Sequence, residues 1–161
     1  MLDIQTERGQ QTLADEVSVA RYIEAQHGVH YVCTDKDSPA IVDAILLTKE
    51  DMRLAGLVET KCRYDVTEQE FDSRYGCEWL MTWAKLEQAI RLATSLSTPL
   101  IGMLYLKRSN RLLVQRICSP DGLLATSIRP AATQTQATCN GGRATRTNGL
   151  ISMKNARRFD L

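Results

Sequence analysis

The stretch Leu54-Ala-Gly-Leu-Val-Glu-Thr-Lys-Cys62 reads as a core β-strand whose end carries a carboxylate and an amine. Side chains two apart in a strand share a face, so Glu59 and Lys61 project together and Thr60 turns away. Burying such a pair is costly unless the charges meet each other, a metal or a substrate. Just upstream, Ala40-Ile-Val-Asp-Ala-Ile-Leu-Leu47 is a second apolar strand with one acid, Asp43, in its middle. The polar turn Lys49-Glu-Asp-Met-Arg53 separates the two. A connection that short predicts an antiparallel hairpin, which brings Asp43 close to Glu59. Two core strands, each interrupted by a carboxylate, suggest a divalent-cation site, because magnesium takes oxygen ligands, often one or two carboxylates.

Outward from this hairpin, residues 7–26 predict a helix. Leu13, Glu16, Val17, Ala20 and Ile23 fall on one face, so Glu16 lies within an apolar stripe while Asp15 lies outside it. A boundary Glu whose stem packs and whose head reaches water is the alternative for Glu16. Gly28 is placed to stop the helix. Val29–Thr34 predicts a short strand. Residues 63–76 predict a polar loop with one helical turn, in position to act as a flap over a ligand. Residues 77–97 predict a helix with Trp79, Trp83, Leu86, Ile90 and Ala93 on its apolar face. Lys85 and Gln88, three apart on another face, can reach one target; two exposed polar residues are the alternative.

Strands are expected over 100–106, 112–118 and 123–129. The polar stretch 133–147 predicts either a two-stranded arm turning at Asn140-Gly141 or a loop, and Leu150–Met153 a return strand. The domain organisation is therefore a core over 1–130 and a basic C-terminal extension over 131–161 within the same domain.

At 161 residues, 43% of them hydrophobic, one core is expected. The apolar runs are strand-length, so no membrane span is expected, and the polar start does not resemble a secretory signal. Five scattered cysteines without a Cys-x-x-Cys pair predict free thiols in a reducing, cytoplasmic setting and argue against zinc or iron–sulfur binding. The net charge of +1 hides a split. Residues 1–106 hold 10 Lys and Arg against 17 Asp and Glu, whereas residues 107–161 hold 10 against two, Asp121 and Asp160. Such asymmetry points to a nucleic-acid partner or to mutual neutralisation of the two parts.

The order helix, three strands, helix, two strands, with Glu16 on the first helix, Asp43 on the second strand and Glu59-Thr60-Lys61 on the third, resembles the PD-(D/E)XK nuclease superfamily. The resemblance covers roughly residues 7–118. The proline of the family's name is replaced by Val42, as in many members, and Lys85-x-x-Gln88 matches a Lys or Gln that several branches place near the scissile phosphate. The resemblance implies an α/β fold, a restriction-endonuclease-like αβββαβ core with a mixed central sheet flanked by helices and a basic C-terminal β extension. It implies a magnesium-dependent deoxyribonuclease holding one or two Mg2+ (or Mn2+) ions. Asp43, Glu59, the backbone carbonyl of Thr60 and Glu16 would be ligands, and Lys61 would orient or deprotonate the attacking water. Lys85, Gln88, Arg143 and Arg146 would contact DNA. Expected partners are DNA and further copies of the chain, as a dimer or higher oligomer. The competing readings are a DNA-binding module with the same fold that no longer cuts, a subunit of a larger assembly, and a surface charge ladder with no catalytic role.

Overall fold

A computed structural model describes residues 7–35, 40–134 and 144–161 of the chain, with side chains from Gly9 onward. It is an α/β structure with a mixed sheet and three helices. Its elements are α1 (Glu7–Gln26), β1 (Val29–Cys33), β2 (Ala44–Thr48), β3 (Leu54–Arg63), α2 (Glu68–Ser73), β4 (Glu78–Thr82), α3 (Trp83–Ser95), β5 (Leu100–Leu106), β6 (Arg111–Cys118), β7 (Ile128–Gln134), β8 (Thr145–Ser152) and β9 (Arg157–Asp160).

Six strands form the main sheet in the order β1-β2-β3-β5-β6-β9. β3 and β5 run parallel, joined by a crossover containing α3, and the other neighbours are antiparallel. The β2–β3 hairpin is present, with Ala44 opposite Val58. β4, β8 and β7 form a second, antiparallel sheet. The C-terminal residues are woven into both sheets, since β8 pairs with β4 and β9 with β6.

Alternation along β3 sorts its side chains between two cores. Val58 and Cys62 pack with Val19 and Ile23 of α1. Leu57 packs with Leu86, Ala89 and Ala93 of α3. Glu59 and Lys61 therefore belong to the α3 face, and Thr60 to the α1 face.

Three local expectations are corrected. Asp43 does not sit mid-strand but immediately precedes β2, its backbone N–H still donating to Val58 O (2.9 Å). The helix expected over 77–97 begins only at Trp83, because residues 78–82 pair with β8. Trp79 thus lies on a strand and is 2% exposed. On α1 the acid turned inward is Asp15, 6% exposed, while Val17 is 44% exposed. Burial of Asp15 is offset by the Lys107 ammonium at 2.9 Å. Glu16 is half-buried beside it.

α2 is fastened down. Glu68 pairs with Arg111 (2.9 Å) and Arg158 (2.8 Å), and Asp72 pairs with Arg158 (2.8 Å), so opening a flap here must break three ion pairs. Among the described residues no helix is long and apolar enough to cross a membrane. Cys33, Cys62, Cys77 and Cys118 are thiols rather than disulfides; Cys139 and the Asn140-Gly141 turn lie outside the described residues.

Trp79 reaches the main sheet over Gly102, which pairs with Glu59 in the β3–β5 register. A Cβ at Gly102 would lie 2.3 Å from the Trp79 ring. Gly102→Ala is expected to destabilise the fold by about 1–3 kcal/mol, the usual cost of overpacking a filled core. Urea unfolding reads this directly, and an unchanged midpoint would show that Trp79 moves aside freely.

Candidate active site

The site forms where β2 and β3 part. Their pairing ends at Ala44 and Val58, and β3 continues to Arg63 with no β2 residue opposite. Asp43 closes the fork. Its Oδ2 accepts from the Thr60 backbone N–H at 2.9 Å. A strand residue's N–H and C=O face the same side, so the Thr60 carbonyl also points to the open side of β3.

Opposite stands Lys85, in the first turn of α3, where the helix dipole adds positive potential. Its ammonium lies 2.6 Å from Glu59 Oε1 and 3.3 Å from Asp43 Oδ1. Lys61 does not pair with Glu59. Its amine donates to the backbone carbonyl of Leu80 on β4, at 3.2 Å. The two lysines are thus separated, one clamped on the carboxylates and one held by the second sheet.

The surroundings shift these groups strongly. Burial, then the neighbouring Asp43 carboxylate, push the Glu59 carboxyl up to about 8, with Lys85 pulling back. Burial, then Arg63, bring the Lys61 amine down to about 8 against the pull of Glu59. Burial also works against the Lys85 ammonium, but Glu59 and Asp43 outweigh it and raise its pKa. Two oppositely charged residue types pushed towards neutrality in one small site mark a candidate for proton chemistry.

The donor set suits a hard cation. Asp43 and Glu59 are close enough to share one ammonium. Glu59 Oε2 is buried with no hydrogen-bond partner among the described residues, an orphaned acceptor that a cation would satisfy. Two carboxylates, a carbonyl and water are a normal magnesium environment. Among the described residues no group of three or more His, Cys, Asp and Glu is placed to hold a metal. Glu16 comes from α1, which covers the other face of the sheet, and its field falls on Tyr31 and Cys62 there.

Gln88 is exposed on α3. Arg146 is exposed on β8, opposite Thr133, two residues beyond the pair Asn148–Thr82 that ends β4. The β7–β8 ladder therefore projects past the start of α3, the end of the molecule from which Lys85 reaches the carboxylates. Arg143 lies outside the described residues. Sequence reasoning overlooked Arg63, which shares the face of Glu59 and Lys61 and lowers the Lys61 amine; the spacing Glu-x-Lys-x-Arg was the available signal. It had no means of finding the Leu80 carbonyl.

The shift of Glu59 has a stability consequence. Between its ordinary value of 4.5 and about 8, the unfolded chain releases a proton that the folded chain keeps, so stability falls as pH rises through that window. Glu59→Gln removes this loss. In metal-free buffer its stability advantage over the parent is expected to widen by about 2 kcal/mol or more from pH 5 to pH 8. Chemical denaturation at both pH values measures it, and a constant gap would mean that Glu59 titrates normally.

No protein-family model, curated protein or solved structure matches the chain.

Proposed function

We propose that the chain is a metal-dependent nuclease that hydrolyses DNA phosphodiester bonds internally, on a restriction-endonuclease-like core. The observation that carries the reading is the convergence of Asp43 and Glu59 on one cation-sized point, with Lys61 on the same face of β3.

Asp43, Glu59 and the Thr60 carbonyl would hold one or two magnesium or manganese ions, while Glu16, on the α1 face of the sheet, stands outside this set. Such an ion polarises the phosphate and lowers the pKa of water. The remaining work falls to side chains. Lys61, with its lowered pKa, is partly neutral near pH 8 and accepts the proton of the attacking water as the new P–O bond forms, while the leaving oxygen takes a proton from a solvent water as its own bond to phosphorus breaks. The charge developing on the phosphate is met by the ammonium of Lys85. Gln88, Arg143 and Arg146 contact the DNA, the arginines neutralising backbone phosphates. DNA as partner, self-association and a cytoplasmic setting belong to the same reading.

One observation favours a second reading. Lys85 already pairs with both carboxylates, as it would in a DNA-binding module that no longer cuts. Incubation with labelled linear, nicked, flapped and four-way DNA, in magnesium, manganese or EDTA, separates the two. The nuclease reading expects products with either metal and none in EDTA. Binding without cleavage under every condition supports the silent module, and full cleavage in EDTA contradicts the metal assignment.

A further inference from the structure

We infer that Lys85 is an internal counter-ion that competes with a divalent cation for Asp43 and Glu59, so that cation binding releases its ammonium towards the phosphate. This rests on the nuclease reading of the site and adds a coupling to it. The basis is geometric. One ammonium touches Glu59 Oε1 at 2.6 Å and Asp43 Oδ1 at 3.3 Å. It occupies the point where two carboxylates would share a cation.

The pair needs such a charge. Glu59 and Asp43 have side chains only 10% and 18% exposed. Two carboxylates this close repel each other at short range and low dielectric, and an ammonium between them offsets part of that repulsion. The ammonium is an incomplete partner, however. Glu59 Oε2 stays buried and unpartnered while Oε1 is engaged. A divalent ion carries twice the charge and can draw on both Glu59 oxygens as well as the Asp43 carboxylate. It also cannot share the point with an ammonium at 2.6 Å.

Lys85 has somewhere to go. Its side chain is 32% exposed, far more than the carboxylates it holds, so its long stem can swing outward to solvent. Released from the first turn of α3, it keeps the positive potential of the helix start behind it and meets an incoming phosphate. Cation and phosphate then favour each other's binding, since each draws Lys85 to the same outward position.

The test uses Mn2+ as probe, with free Mn2+ followed by electron paramagnetic resonance in the full-length protein. Lys85→Met is expected to bind Mn2+ at least tenfold more tightly than the parent, and Lys85→Arg no more tightly. Circular dichroism of each variant checks that it is folded. A second readout needs no variant. Acylation of Lys85 by an amine-reactive ester, counted by peptide mass spectrometry, is expected to rise severalfold when Mn2+ saturates the parent. Tighter binding by Lys85→Met with unchanged acylation would reduce the effect to repulsion at a distance and overturn the displacement. Equal affinities together with unchanged acylation would overturn the competition while leaving the cation site standing. No Mn2+ bound by parent or Lys85→Met would end the metal reading itself.

Discussion

Replacing Lys61 by alanine is expected to slow DNA cleavage by about a hundredfold or more, the range for losing a positioned general base or charge stabiliser. The fold should survive the change. Among the described residues the amine has one hydrogen bond, to Leu80 O at 3.2 Å. Against that loss stands the penalty of a buried ammonium, which already depresses its pKa to about 8. The melting temperature is therefore expected to hold near the parent value, and DNA affinity with it. A purely structural Lys61 predicts the opposite pattern: a lower melting temperature, with activity falling only in proportion to the folded fraction. Single-turnover rates and thermal melts on the same preparation distinguish them.

Asp43→Asn is the second large effect, and a different one. The amide keeps the shape and can still accept from the Thr60 N–H, which Asp43 Oδ2 does at 2.9 Å. It removes the charge that a cation needs. Mn2+ affinity and cleavage are expected to fall together, by about a hundredfold or more, since losing a ligand costs at least what losing its supporting shell does. Lys61→Ala, by contrast, should leave Mn2+ affinity near the parent value. A variant Asp43→Asn that binds Mn2+ like the parent would remove Asp43 from the ligand set.

The β2–β3 hairpin was legible because each strand is a continuous apolar run and the polar turn between them is short. Alternation then placed Glu59 and Lys61 on one face, and the hairpin brought Asp43 beside them. β4 was not legible. Trp79 and Trp83 are four apart, as on a helix, and the partner that makes residues 78–82 a strand is β8, far along the chain. Local periodicity carries no trace of such a pairing. On α1, Asp15 and Glu16 differ by a single helical step. Which of them turns inward depends on Lys107 at the end of β5, and no property of the helix itself encodes that. Lys85 is legible as a residue able to reach a target, but its spacing from Gln88 does not show that the carboxylates lie within that reach. The helix start at Trp83 puts it in the first turn of α3, within reach of the carboxylates themselves.

Asp43, Glu59 and Lys61 are proposed to form a cation-dependent site for phosphodiester hydrolysis. The most direct test is single-turnover cleavage of labelled DNA by the parent and by Asp43→Asn, purified side by side and assayed with manganese and with EDTA. Identical purification makes any contaminating nuclease common to both samples. The account predicts cleavage by the parent with manganese, none in EDTA, and a rate for Asp43→Asn lower by at least about a hundredfold. Equal rates for the two proteins, or cleavage by the parent that persists undiminished in EDTA, would contradict it.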